Sequence, residues 1–112
     1  MKNSKIINVG LLGLGTVGTG VGRTLQSESK TIEEKTGIHL VLRKVCVKSL
    51  SKKRAAKIPS GLLTTNPRDL TDDPQIDILI ELIGGIHPAK EIILRALTNG
   101  KHVVTANKAL LA

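Results

Sequence analysis

The stretch that decides the fold runs from residue 6 to residue 22 and reads I-I-N-V-G-L-L-G-L-G-T-V-G-T-G-V-G. Its first part, Ile6 to Leu12, is mostly apolar and long enough for one buried strand. Gly13 to Gly18 then fits the pattern G-x-G-x-x-G. Apolar residues at helical spacing follow: Val17, Val21, Leu25 and Ile32. Strand, glycine turn and helix in this order are the context in which the pattern binds the pyrophosphate of a dinucleotide.

Each of the three glycines in this pattern has a physical reason. Gly13 lets the chain turn sharply away from the strand, and Gly15 has no Cβ to keep a pyrophosphate away from the backbone. Gly18 lets the first helical turn pack against the strand. An anion can then bind free N–H groups at the positive end of the helix dipole. The alternative is a glycine-rich turn that binds nothing.

Composition limits the class of protein. The chain has 112 residues, the size of one domain, and its core must be aliphatic because Phe, Tyr and Trp are absent. No apolar run approaches the roughly 20 residues of a membrane span, so we expect no membrane partner. One cysteine, Cys46, excludes an internal disulfide and a multi-thiolate zinc site, and it favours a cytoplasmic location.

The chain is basic, with 17 Lys and Arg against 9 Asp and Glu. Such an excess is compatible with nucleic-acid binding. However, no aromatic side chain is present to stack on bases, and the longest basic run is Lys52-Lys53-Arg54. We therefore expect no nucleic-acid partner. The positive charge serves either an anionic small ligand or an ordinary solvated surface.

The second strand is predicted over Leu40 to Val47. Arg43 and Lys44 interrupt its apolar character, so we expect this segment to start outside the sheet and to enter it near Val45. Cys46 is expected to pack as a small hydrophobe.

The other predicted elements alternate between helices and strands. They are a helix from about Thr16 to Lys35 ended by Gly37, a strand from Leu62 to Thr65, a helix from Pro67 to Leu70 capped by Asn66, a strand from Ile76 to Ile83, a helix opened by His87-Pro88 and ended by Asn99-Gly100, and a strand from Lys101 to Thr105. Ile92, Ile93, Ala96 and Leu97 are predicted to form the core face of the last helix. The alternation predicts an α/β fold of the Rossmann-like, doubly wound type, with a mainly parallel sheet and helices on both faces.

The residues after the second strand indicate which dinucleotide is bound. A domain that prefers NAD usually has an Asp or Glu here, which holds the ribose 2′-hydroxyl. Residues 48–54 contain no acid, and their basic and hydroxyl side chains would attract a 2′-phosphate instead: Lys48, Ser49, Lys52, Lys53 and Arg54. We therefore predict NADP, with NAD as the alternative. The other interpretation is that the basic residues only decorate a short helix.

Three further features bear on a site. Glu81 lies near the carboxyl end of a predicted strand, where a carboxylate is either paired and structural or functional. Gly84 and Gly85 follow it, at the end of the sheet where ligands bind in doubly wound folds, and we expect them beside the nicotinamide ribose. Asp72 and Asp73 lack a third ligand-type neighbour, so we interpret them as turn residues and expect no metal site.

Three blocks together closely resemble the N-terminal region of homoserine dehydrogenases. They are G-L-L-G-L-G-T-V-G-T-G-V at 10–21, E-L-I-G-G at 81–85 and V-V-T-A-N-K-A-L-L-A at 103–112. The first block is shared with many dehydrogenases, whereas the second and third, in this order, are much more specific. The resemblance covers essentially the whole chain.

The resemblance implies an enzyme that interconverts L-aspartate 4-semialdehyde and L-homoserine, with NAD(P)H supplying hydride to the aldehyde, on the route to threonine, methionine and isoleucine. By position, it implies pyrophosphate contacts for Gly13, Gly15, Thr16, Val17 and Gly18. It implies a place in the nicotinamide cleft for Gly84, Gly85, Thr105 and Asn107. Lys108 matches a lysine of the family's active site. Many members carry an acidic residue near position 49, where this chain has Ser49, and this difference supports the NADP prediction.

The catalytic role that the resemblance implies for Lys108 agrees with the chemistry. Negative charge builds on the aldehyde oxygen as hydride arrives, and a cationic or proton-donating group directed at it lowers the barrier. Lys108 follows the carboxyl end of a predicted strand, where it can do this. The alternative is that it is one of many surface lysines.

We expect residues 1–112 to be a fragment of an NAD(P)-binding domain, because the apolar ending at 109–112 begins a helix that then stops. The family's substrate-binding and dimerisation region, with a second lysine and acidic catalytic residues, would lie beyond Ala112, and its parent would be a homo-oligomer. The fragment alone should bind cofactor weakly without turnover. Two alternatives stay open: another NAD(P)-dependent oxidoreductase on the same fold, and a stand-alone, non-catalytic nucleotide-binding module.

Overall fold

Five parallel strands form one sheet. A computed structural model describes residues 5–13, 24–47, 60–82 and 89–105 of the chain. The strands are β1 (Lys5–Leu12), β2 (Ile38–Cys46), β3 (Leu63–Thr64), β4 (Ile78–Glu81) and β5 (His102–Thr105). Their spatial order is β3-β2-β1-β4-β5, and every neighbouring pair is parallel. The predicted parallel sheet is therefore confirmed, with a switch in strand order between β1 and β4.

Helices pack on both faces of this sheet. The helices are α1 (Ser29–Thr36), a 3₁₀ turn (Ser60–Leu62), α2 (Arg68–Thr71) and α3 (Ala89–Thr98), and residues 24–27 are helical as well. One apolar cluster joins the strands to α2 and α3: Leu12, Cys46, Leu70, Ile76, Leu79, Ile92 and Ala96. The other contains Leu11, Leu42, Val45 and Val47, with Leu25 packed against it. Consecutive residues Leu11 and Leu12 serve opposite faces, as strand geometry requires, and the doubly wound prediction is confirmed.

The end of α1 confirms a local prediction. Gly37 has φ 75°, a left-handed conformation that favours glycine, and its N–H donates to the Glu33 carbonyl at 2.8 Å. Lys35 lies in the last turn, near the negative end of the helix dipole. The predicted start of this helix at Thr16 lies outside the described residues.

The predicted late entry of β2 is wrong. This strand pairs with β1 along its whole length, from Ile38 opposite Lys5 to Cys46 opposite Leu12. A β-bulge accommodates Arg43. Val9 pairs with Leu42 and the next residue, Gly10, pairs with Lys44, so Arg43 is the extra residue in β2. The strand tolerates both charges because their side chains reach a carboxylate that comes about 30 residues later, Asp73, at 2.8 and 3.5 Å.

The remaining boundaries differ by small amounts. β3 is shorter than predicted. α2 starts one residue later, at Arg68, whose amide donates to Asn66 Oδ1 at 3.0 Å. β4 starts at Ile78, because Asp77 accepts from the Asn8 amide through its side chain at 2.8 Å.

The predicted core face of α3 is wrong at one residue. Leu97 is 51% exposed, whereas Ala89, Ile92 and Ala96 are buried. The spacing of the buried residues, three and four apart, describes a stripe that Leu97 does not share. The helix ends as predicted, because Gly100 has φ 81° and the Lys101 amide donates to the Ala96 carbonyl at 3.0 Å. Within the described parts of the chain, no helix is both long and apolar enough to cross a membrane.

Candidate functional site

The carboxyl ends of the strands lie in one row at one edge of the sheet. Cys46 of β2 pairs with Leu12 of β1, Leu12 pairs with Glu81 of β4, and Glu81 pairs with Thr105 of β5. The row crosses the point between β1 and β4 where the strand order switches. In open α/β sheets, ligands bind in the crevice outside the carboxyl ends of the strands, at this switch point.

Gly13 makes the turn that was predicted at the end of β1. Its φ is 99°, a conformation that side chains rarely adopt, and its N–H donates to the Cys46 carbonyl at 2.9 Å. On the other side of β1, the Leu82 amide donates to the Leu12 carbonyl at 2.9 Å. The end of β1 is therefore fixed from both neighbouring strands, and the backbone at Gly13 leaves the sheet in a conformation suited to glycine. Its contact with a pyrophosphate stays a prediction.

Glu81 and Thr105 form a hydrogen bond at the same edge. The Glu81 side chain is fully buried, and its Oε2 accepts from Thr105 Oγ1 at 2.6 Å. The Glu81 carboxylate is therefore paired with a residue of the neighbouring strand. Thr105, which the resemblance places in the cleft, is only partly buried. The chain separates these two residues by 24 positions, and only the pairing of β4 with β5 brings them together.

Most of the predicted site residues lie outside the described residues. They are Gly15, Thr16, Val17, Gly18, Lys48, Ser49, Lys52, Lys53, Arg54, Gly84, Gly85, Asn107 and Lys108. The described segments that precede them end at Gly13, Val47, Leu82 and Thr105. Each of these four residues is the last residue of a strand or follows directly after one. In the sequence, all thirteen predicted residues follow a described segment whose end lies at the carboxyl edge of the sheet.

A charged cluster at the opposite edge was missed by the sequence reasoning. Lys101, just before β5, is 6% exposed, and its Nζ donates to the carbonyls of Asp73 and, at 2.9 Å, of Ile76. The Asp73 carboxylate accepts from Arg43 Nε at 2.8 Å. Burial raises the pKa of Asp73, but the Gln75 amide, Arg43 and Lys44 outweigh it and lower the pKa overall. No sequence signal could have indicated Lys101, because its partners are backbone carbonyls 25 and 28 residues away.

A second ion pair lies beside this cluster. Arg95 donates to Asp72 through Nε at 2.7 Å and through a terminal nitrogen at 2.8 Å. The Asn99 amide adds a hydrogen bond to the same carboxylate at 3.1 Å. The hydrogen bonds from Arg95 are the main cause that lowers the pKa of Asp72 to about 2. Asp72 and Asp73 are therefore turn residues with cationic partners, and the described ranges hold no group of three His, Cys, Asp or Glu arranged for a metal.

Cys46 packs as predicted. It is 6% exposed and belongs to the cluster under α3. Burial, with a contribution from Asp69, raises the pKa of the thiol to about 11. A thiol with this pKa is protonated at neutral pH and is a poor nucleophile.

Several known proteins with similar sequences and folds are named homoserine dehydrogenase. The family model described as "Homoserine dehydrogenase, NAD binding domain" matches residues 13–112. The homoserine dehydrogenase of Bacillus subtilis (strain 168) is 47% identical over 108 residues, which are 96% of this chain and 25% of that protein. The Neisseria gonorrhoeae homoserine dehydrogenase is 42% identical over 109 residues, which are 96% of this chain and 25% of that protein.

Solved structures agree with these matches. A crystal structure of a homoserine dehydrogenase from Thiobacillus denitrificans superimposes with a TM-score of 0.84 at 50% identity, covering 96% of this chain and 25% of that chain. For the S. aureus homoserine dehydrogenase at pH 6.5, the TM-score is 0.87 at 38% identity, and the match covers 93% of this chain and 26% of that chain. The chain thus spans about a quarter of the length of the relatives it matches.

Proposed function

Because this chain belongs to the homoserine dehydrogenase NAD-binding domain family, we propose that it is the cofactor-binding part of a homoserine dehydrogenase. The whole enzyme would interconvert L-aspartate 4-semialdehyde and L-homoserine, in the biosynthesis of threonine, methionine and isoleucine. The proposal includes a cytoplasmic location and a homo-oligomeric parent enzyme.

The observation that carries the proposal is the construction of the carboxyl edge of the sheet. β1 ends at Leu12 and is followed by Gly13 with φ 99°, the turn with which a pyrophosphate-binding glycine loop begins. Glu81 and Thr105 end β4 and β5 in the same row. In the sequence, the predicted site residues follow the described segments that end at this edge. The glycine turn and the polar pair support the proposal that a dinucleotide binds here, with its pyrophosphate near Gly13 and its nicotinamide half near Thr105.

In the proposed reaction, bound NADPH supplies hydride to the carbonyl carbon of the aldehyde. The glycine turn holds the pyrophosphate, and Thr105 lies on the nicotinamide side. Lys108 comes three residues after Thr105, so we place its ammonium group near the substrate oxygen. There it stabilises the negative charge that develops as hydride arrives and donates the proton that completes the alcohol.

The cofactor preference is the finer part of the proposal. We propose NADP, because residues 48–54 contain Lys48, Lys52, Lys53 and Arg54 and no acid. The four cations favour a 2′-phosphate, whereas an Asp or Glu would favour the ribose hydroxyl of NAD. Their charge is expected to give NADP at least about a tenfold lower dissociation constant, the result of 1.4 kcal/mol of differential binding.

Calorimetric titration with NADP and with NAD tests this preference. Replacing Lys52, Lys53 and Arg54 by Ala together should reduce the ratio of the two dissociation constants toward one. The matched control, Lys30→Ala on exposed α1, should leave the ratio unchanged. Tighter binding of NAD than of NADP by the unmodified protein would overturn the NADP proposal, and binding of neither would overturn the proposed function.

These 112 residues alone are proposed to bind cofactor without catalysing the reaction. They correspond to about a quarter of each related enzyme, and a substrate needs further groups that hold it against the nicotinamide. A purified protein of residues 1–112 should therefore titrate with NADP but oxidise no homoserine. Measurable homoserine oxidation by it would contradict this part of the proposal.

A further inference from the structure

Glu81 occupies an unusual position for a carboxylate. It is the last residue of β4, its side chain is fully buried, and the strand that contains it is paired on both sides, with β1 and with β5. Carboxylates are almost never fully buried without a partner. Here the Thr105 hydroxyl donates to Oε2 at 2.6 Å, within the usual range of an O–H···O hydrogen bond.

This hydrogen bond fixes the direction of the Thr105 hydroxyl. A hydroxyl group has one hydrogen to donate and two lone pairs that accept. Because the hydrogen is directed at Glu81, Thr105 Oγ1 can act toward any further group only as an acceptor. The two backbones are held in register, Glu81 opposite Thr105, which keeps the two side chains next to each other.

We infer that Glu81 is a positioning residue, which holds the Thr105 hydroxyl as a hydrogen-bond acceptor for a donor group on the nicotinamide nucleoside of the cofactor. This inference rests on the proposed function, since it requires a dinucleotide at the carboxyl edge of the sheet. Thr105 is partly exposed at that edge, whereas Glu81 is not, so the threonine contacts the ligand and the glutamate acts through it.

The nicotinamide nucleoside offers two kinds of donor that this acceptor can receive. One is the N–H of the carboxamide, and the other is an O–H of the ribose. An acceptor at this point disfavours a ligand that presents a carbonyl oxygen, because two acceptors would then face each other without a hydrogen. The Glu81–Thr105 pair is therefore a specificity element for the orientation of the nicotinamide half.

The test compares two cofactors on variants of the acceptor. Calorimetry measures the dissociation constants of NADP and of its 3-acetylpyridine analogue, in which a methyl ketone replaces the carboxamide and removes the N–H donor. Thr105→Val should weaken NADP binding by about two- to tenfold, the range for one neutral hydrogen bond. Thr105→Ser, which keeps the hydroxyl, should restore binding to within about twofold of the unmodified protein.

The analogue distinguishes the two donors. If the carboxamide N–H is the donor, Thr105→Val weakens the binding of NADP but not that of the analogue, so the protein no longer discriminates between the two ligands. If a ribose O–H is the donor, Thr105→Val weakens the binding of both ligands equally. Either result supports the inference, and unchanged binding of both by Thr105→Val overturns it.

Glu81→Gln tests the positioning role, because an amide can donate as well as accept and no longer dictates the direction of the hydroxyl. It should weaken NADP binding in the presence of Thr105 and have no effect, within about twofold, in the Thr105→Val background. Equal weakening in both backgrounds, or a lower melting temperature with unchanged affinity, would show a purely structural carboxylate and overturn the inference. If Glu81→Gln does not fold, Glu81→Asp replaces it, because the shorter side chain keeps the carboxylate but moves the acceptor away from the Thr105 hydroxyl. The same two outcomes then support or overturn the inference.

Cofactor binding by the unmodified protein tests the proposed function separately. If that protein binds neither cofactor, the proposed function fails and this inference fails with it. If the unmodified protein binds NADP and the Thr105 and Glu81 variants bind it with the same dissociation constant, only the inference fails.

Discussion

The two edges of the sheet are built from different chemistry. At the amino ends of β4 and β5, charges are paired with one another and with backbone carbonyls: Asp73 with Arg43 and Lys44 of β2, Asp72 with Arg95 of α3, and Lys101 with two carbonyls. At the carboxyl edge, the described residues contribute a glycine with positive φ and one buried carboxylate bonded to a threonine. The charge pairs of the first edge therefore stabilise the fold, and the proposed dinucleotide site lies at the second.

Two lysines make this comparison testable, because they precede and follow the same strand. Lys101 lies before β5, at the first edge, and Lys108 lies three residues after its end at Thr105. The account predicts that the first contributes to stability and the second to catalysis.

The largest expected effect is on turnover. In the full-length enzyme, Lys108→Ala should lower kcat by about 10²–10⁴-fold, the range for loss of a positioned proton donor. The dissociation constant of NADP, measured by calorimetry, should change by less than about threefold. An unchanged kcat would remove Lys108 from the site and would break the comparison at the carboxyl edge.

The next effect is on stability and comes from the other edge. Lys101→Met should lower the free energy of unfolding by about 2–4 kcal/mol, because two buried carbonyls lose a charged donor. Urea unfolding followed by far-UV circular dichroism measures it, since the chain has no aromatic residue for fluorescence.

The control for this variant is Lys90→Met on α3, where the lysine is exposed. It should change stability by less than about 0.5 kcal/mol. NADP affinity of Lys101→Met, measured well below its unfolding transition, should equal that of the unmodified protein. A loss of affinity without a loss of stability would reverse the roles given to the two edges.

Sequence reasoning succeeded where the determining contacts are local. The strand before Gly13, the turn at Gly13 and the helix end at Gly37 each depend on residues within a few positions of one another. It failed where a residue is defined by a distant partner. Arg43 and Lys44 led to a predicted late entry of β2 near Val45, because their partner, Asp73, lies about 30 residues away in the sequence.

Burial and pairing across the sheet were equally inaccessible. Leu97 has an apolar side chain at helical spacing, yet only the placement of α3 on the sheet decides that it is exposed. Glu81 left two alternatives because its partner, Thr105, belongs to the next strand. The motif located the candidate site, whereas only the structure supplied the hydrogen bond within it.

A smaller effect is expected from the glycine that ends β1. Gly13→Ala places a Cβ at φ 99°, which should cost about 1–2 kcal/mol in the free energy of unfolding and weaken NADP binding. The matched control is Gly61→Ala, because a Cβ there meets nothing within 4 Å. If both variants unfold at the same urea concentration and bind NADP equally, the turn does not need glycine.

The smallest effect is the pH dependence of the Asp72–Arg95 pair. The pKa of Asp72 is about 2 in the folded protein against an ordinary 3.8, so its contribution is complete above about pH 4 and is lost as the pH falls toward 2. Asp72→Asn should therefore differ from the unmodified protein at pH 5 and converge with it near pH 2, in urea midpoints. Arg95→Met should converge in the same way, because Arg95 supplies the main hydrogen bonds. A constant difference across this range would contradict the pairing.

Mapping of amide resonances during an NADP titration tests the central claim most directly, namely that the dinucleotide binds at the carboxyl edge of the sheet. In ¹H–¹⁵N spectra, the account predicts large shifts for the amides of Gly13, Leu82 and Thr105. The amides of Asp73 and Lys101, at the opposite edge, should remain in place. Shifts confined to the Asp73–Lys101 edge, or no shifts at saturating NADP, would contradict it.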